Sequence, residues 1–100
     1  MRLSASQVDV IKQEVAHYFG PDSEVWLFGS RVDDHRRGGD IDLYVTPGIA
    51  DPDRLAAARF AFLAHLKRRI GDRQIDLVLH RANAENLPIY SLARQEGIHL

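Results

Sequence analysis

The chain has 100 residues, 45% of them hydrophobic and 27% charged, with four prolines and a formal net charge of −1. That composition describes one globular domain and excludes a disordered or fibrous chain. The near-neutral charge removes any global reason to expect binding to nucleic acid or to a membrane surface, and the absence of cysteine excludes disulfides, thiolate catalysis and cysteine-ligated zinc.

From Ser6, "SQVDVIKQEVAHYFG" places Val8, Ile11, Val15 and Tyr18 or Phe19 at helical spacing, between a serine cap and Gly20-Pro21. A short strand follows in "EVWLF", residues 24–28, bounded by "GPDS" before it and Gly29 after it. "DIDLYV", residues 40–45, alternates: Ile41, Leu43 and Val45 share one face, while Asp40, Asp42 and Tyr44 share the other. Thr46-Pro47-Gly48 ends that strand. Asp51 then caps a long helix that has Pro52 at its first position, carries Leu55, Phe62, Leu66 and Ile70 down one side, and stops at Gly71. "QIDLVLH", residues 74–80, is a second alternating strand, with Asp76 opposite Ile75, Leu77 and Leu79. A last helix is expected from about Ala84 or Leu87 to Glu96, with "IHL" as a terminal strand.

Strands alternating with helices predict an α/β or α+β two-layer domain, a small mixed sheet with helices packed on one face. The aliphatic residues of the two alternating strands would form that covered face. The other, partly open, would carry Asp40, Asp42 and Asp76. No apolar run reaches membrane-spanning length and no signal-like N-terminal segment is present, so a cytoplasmic protein is expected.

Carboxylates two apart on a strand project from the same side. If the third strand lies alongside, Asp76 joins Asp40 and Asp42, and three mutually repelling acids are a natural site for a divalent cation, above all magnesium. One Asp-x-Asp alone is a common solvated edge; a third acid in a matching "IDL" context makes a metal site the better reading. Gly29-Ser30 supplies the complementary half. It follows a strand, as phosphate-gripping turns do: Gly29 lets a phosphate approach the backbone, and Ser30 offers a hydroxyl and an N–H. Arg31, Arg36 and Arg37 are near enough in sequence to help neutralise phosphates. Lys67, Arg68 and Arg69, by contrast, read as solvated cations at a helix C-terminus.

Gly-Ser after a strand, nine intervening residues, an Asp-Ile-Asp strand and then a third strand aspartate together resemble a minimal nucleotidyltransferase of the DNA polymerase beta superfamily. The spacing from Ser30 to Asp40 is one residue shorter than is usual in that family. The resemblance implies that Gly29, Ser30 and Arg31 bind a nucleoside triphosphate. It implies that Asp40, Asp42 and Asp76 are catalytic and hold two magnesium ions, and that AMP from ATP is moved onto a hydroxyl acceptor. It also implies a partner, an all-helical protein of the HEPN type, of which a tyrosine would be the acceptor in a toxin–antitoxin pair. Neither a membrane nor direct nucleic-acid binding is expected.

Other readings remain: a non-catalytic nucleotide-binding antitoxin or regulatory subunit, or the catalytic subunit of a two-chain small-molecule nucleotidyltransferase. "GGD" at residues 38–40 does not continue as a cyclic-dinucleotide synthase signature would. His17, His35, His65, His80 and His99 have no zinc-ligand spacing, and only His80 falls on the acid-bearing face. Trp26 and Tyr44 are candidates for stacking on a base, although aromatic residues in strands more often pack within the sheet.

Overall fold

Helix α1 spans Ala5–Phe19 and begins at a capping box: the Ser4 hydroxyl accepts from the Gln7 N–H, and the Gln7 side chain accepts from the Ser4 N–H. The helix thus starts earlier than the apolar pattern alone indicates, because two reciprocal bonds satisfy N–H groups that would otherwise be orphaned. The computed structural model describes residues 4–28, 41–71, 74–81, 91, 95 and 97–100. At its C-terminus α1 stops at Gly20, whose φ of 105° a side chain would resist. The Phe19 carbonyl there accepts from the Gly48 N–H at 2.8 Å, tying this turn to the loop after the second strand.

Strand β1 (Glu24–Phe28) pairs antiparallel with β2 (Ile41–Thr46), and β2 pairs parallel with β3 (Ile75–Leu79). Between β2 and β3 the chain crosses over through α2 (Pro52–Ile70), the kind of connection that a parallel pair requires. Asp51 caps α2 by accepting from the Asp53 N–H, and Gly71, again at φ 105°, ends it. A two-residue strand β4 (Ile98–His99) lies antiparallel to β1 on its free side, giving a mixed four-stranded sheet in the order β3-β2-β1-β4. The predicted last helix falls almost wholly outside the described residues; Ser91 and Gln95 within it are helical.

The expected two-layer α+β arrangement is what forms. Ile41, Leu43, Val45, Ile75 and Leu77 are buried against Ile11, Val15 and Phe19 of α1 and Leu55, Phe62 and Leu66 of α2. Phe19 and Phe62 pack ring to ring at 5.2 Å. Burial of this set is the main source of stability, at about 1.5–3 kcal/mol for each large side chain. Polar contacts orient the layers. Arg69 donates to the almost buried Glu14 at 3.0 Å, joining the two helices, and Arg59 donates to the Leu77 carbonyl at 2.9 Å, tying α2 to strand β3. Among the described residues no helix is long and apolar enough to cross a membrane.

Candidate functional site

Alternation alone requires that Asp42 and Asp76 leave the sheet on the side opposite the helices. Pairing then decides which acids meet. In the parallel β2–β3 ladder Asp42 is the register partner of Asp76, flanked by Ile41↔Ile75 and Leu43↔Leu77. Adjacent strands lie about 4.8 Å apart, so two carboxylates leave neighbouring backbones side by side. Asp42 is half-buried and Asp76 exposed. The Ile41 N–H donates to the Gln74 carbonyl at 2.9 Å, fixing the register one residue from the pair.

The row continues into β1, where Phe28 is the register partner of Asp42. Because β1 runs antiparallel to β2 and β2 parallel to β3, the end of β1 and the starts of β2 and β3 share one end of the sheet. Gly29 is the next residue after Phe28, and Asp40 the one before Ile41. Gly29, Ser30, Arg31 and Asp40 themselves lie outside the described residues, as do Arg36 and Arg37. Among the described residues no three metal-ligating side chains cluster, and the third acid of the expected trio, Asp40, is not among them.

One row further along, the register sets Trp26, Tyr44 and Val78 abreast, with His99 beside Trp26. The face is partly open, as expected, at the Asp42–Asp76 row, whereas at this row it is closed over Tyr44. Tyr44 is completely buried and cannot stack on a ligand base; its hydroxyl hydrogen-bonds Nδ1 of His80, itself buried, at 2.8 Å. The bond satisfies a phenol that would be costly to bury without a partner. Trp26 packs on Tyr44 at 5.3 Å and stacks on His99 at 4.6 Å. His80 stands four residues beyond Asp76 in β3's chain direction, roughly 13 Å along an extended backbone, so it locks Tyr44 rather than approaching the acids. Sequence reasoning missed this pair because its two members are 36 residues apart, and no local pattern joins them.

Lys67, Arg68 and Arg69 lie exposed in the last turn of α2, as expected. Arg69 is taken up by Glu14 and Gln13, while Lys67 and Arg68 remain exposed on α2, on the helical layer. Tyr18 and His65 hydrogen-bond at 2.6 Å between α1 and α2.

No model of a known protein family matches the chain, and no curated protein matches it.

The arrangement can bring two hard oxygen donors together at one end of the sheet, where the covalent neighbours of β1 and β2 are the Gly-Ser pair and a third aspartate. Carboxylates of this kind suit magnesium better than a softer, imidazole-preferring or thiolate-preferring metal.

Proposed function

We propose that this protein is a magnesium-dependent nucleotidyltransferase that moves a nucleoside monophosphate, AMP from ATP, onto a hydroxyl acceptor. The observation that carries the reading is the register pairing of Asp42 with Asp76, two acids from separate strands at the sheet end where β1 runs out into Gly29-Ser30. Carboxylates from adjacent register positions can share a divalent cation, which a lone acid on a strand could not hold as well.

The donor set fits magnesium, with Asp40, Asp42 and Asp76 as the residues that would hold it. When bound, the metal would offset the charge of the acids and the triphosphate and polarise the phosphate under attack. The chain's own residues divide the remaining work. Gly29 admits the triphosphate close to the backbone, Ser30 donates to it, and Arg31 offsets its charge. Asp76, the exposed member of the pair, faces solvent where an acceptor arrives and takes the acceptor's hydroxyl proton. The acceptor oxygen then bonds to the α-phosphorus as the bond to pyrophosphate breaks. A tyrosine of a separate helical, HEPN-type protein is the acceptor that the family resemblance supplies, with an antitoxin role for this chain.

Transfer of label from α-labelled ATP to a helical protein encoded beside this one tests the reading. Wild-type chain should transfer, whereas Asp76→Asn should bind ATP with magnesium yet transfer nothing. Transfer at the wild-type rate by Asp76→Asn would remove Asp76 from the chemistry. No transfer by the wild type to any such partner would leave a non-catalytic nucleotide-binding module.

A further inference from the structure

We propose that two copies of this chain associate through the outward face of α2, as an antiparallel pair with Phe60 at the two-fold axis. Phe60 is 77% exposed and is the large hydrophobic side chain left in solvent among the described residues. It is flanked by Ala56, Ala57 and Ala64, all exposed, on the side of the helix opposite Leu55, Phe62 and Leu66, which fill the core. Helical periodicity sets these residues on one stripe pointing away from the sheet. Its alanines allow a second helix to approach closely. The exposed apolar stripe alone names no partner.

The charges along the stripe choose one. Asp53 lies in the first turn of α2 and Lys67 in the last, both exposed, and each is seven residues from Phe60. In an antiparallel pair centred on Phe60, Asp53 of one copy meets Lys67 of the other, and the contact repeats by symmetry about 21 Å along the helix. Ala56 meets Ala64 in the same way. Arg68, also exposed in the last turn, reinforces the cationic end, whereas Arg69 is turned aside to Glu14 and does not compete. Antiparallel helices also set each N-terminus beside the partner's C-terminus, the favourable arrangement of their dipoles. Arg54, exposed in the first turn, lies about 120° round the helix from Phe60 and off the stripe, so cations do not stand at both of its ends as a membrane surface would require, and an acidic protein partner would be repelled by Asp53. The pattern is complementary to itself.

Sedimentation equilibrium on the full chain tests this. Wild type should be a dimer in reversible exchange with monomer, and Phe60→Asp should weaken association by roughly 30-fold or more. Its fold should survive, as read by circular dichroism, because Phe60 makes no part of the core. Lys67→Asp alone and Asp53→Lys alone should each dissociate, since each sets like charges together, and mixing the two variants should restore a dimer. A wild type that stays monomeric up to about 1 mM, a dimer indifferent to Phe60→Asp, or single charge variants that do not associate when mixed would each overturn the proposal. The stripe is on the helical layer and the acids on the opposite face of the sheet, so ATP binding, measured separately, should be unchanged in Phe60→Asp. Failure of this proposal is thereby distinguishable from failure of the nucleotidyltransferase reading.

Discussion

Asp42 and Asp76 are direct register partners across two parallel strands, one half-buried and one exposed. Under the proposed function this difference in exposure would divide the work of two chemically identical side chains, the inner acid serving the nucleotide and the outer one the acceptor that arrives from solvent. Because both repel a triphosphate, nucleotide binding should depend on magnesium. ATP with magnesium at a hundred-fold excess over Kd should stabilise the protein by about 2.7 kcal/mol. For a domain of this size, that is an upward shift in Tm on the order of 10 °C. ATP with a chelator should give a far smaller shift, and Asp42→Asn should remove the magnesium-dependent part. Equal shifts with magnesium and with chelator would count against the site.

Ser30→Ala should weaken triphosphate binding by roughly tenfold, the loss of one hydrogen bond to a charged group. Arg68→Ala, in the exposed last turn of α2, should leave nucleotide affinity unchanged. Isothermal titration of both variants compares them directly, and indistinguishable affinities would move the phosphate grip away from Gly29-Ser30.

Tyr44→Phe keeps the ring beside Trp26 but removes the hydroxyl that meets His80. Thermal or denaturant unfolding should show a loss of roughly 1–3 kcal/mol, the cost of disrupting a buried hydrogen bond. Nucleotide affinity, measured on the folded variant, should stay within about twofold, less than about 0.5 kcal/mol on a scale where about 1.4 kcal/mol is tenfold. A large loss of affinity at unchanged stability would instead make Tyr44 part of the site.

Arg69→Ala removes a donor to the Glu14 carboxylate, which is 7% exposed. Denaturant melts should report a loss of roughly 1–3 kcal/mol. Replacing both Glu14 and Arg69 by leucine should recover most of it, because an apolar pair has no charge to desolvate. A double variant as unstable as the single one would show that the pair contributes more than it costs to bury.

Two phenylalanines two residues apart on α2 should behave oppositely. Phe62→Ala empties a core position in contact with Phe19 and should cost about 3–5 kcal/mol. Phe60→Ala, at a side chain 77% exposed, should change the stability of the dilute protein by no more than about 0.5 kcal/mol. Urea titrations of the two variants at equal low concentration supply the comparison.

Much of this architecture is legible in local pattern. The alternation of Ile41, Asp42, Leu43 and of Ile75, Asp76, Leu77 already separates an aliphatic face from an acidic one, because a strand has a period of two wherever it lies. Asp51-Pro52 and Gly71 bound α2, since caps and breakers act on the residues next to them. The acid pairing is different. Nothing in either strand says whether Asp76 should sit beside Asp40 or Asp42: a shift of two residues preserves both faces, and only the packing of α2 behind the sheet and the bond from Ile41 to Gln74 select one register. The burial of Tyr44 against His80, and the choice of Arg69 rather than Lys67 or Arg68 to meet Glu14, are likewise encounters between distant segments. They depend on the three-dimensional approach of elements, which short-range spacing does not encode.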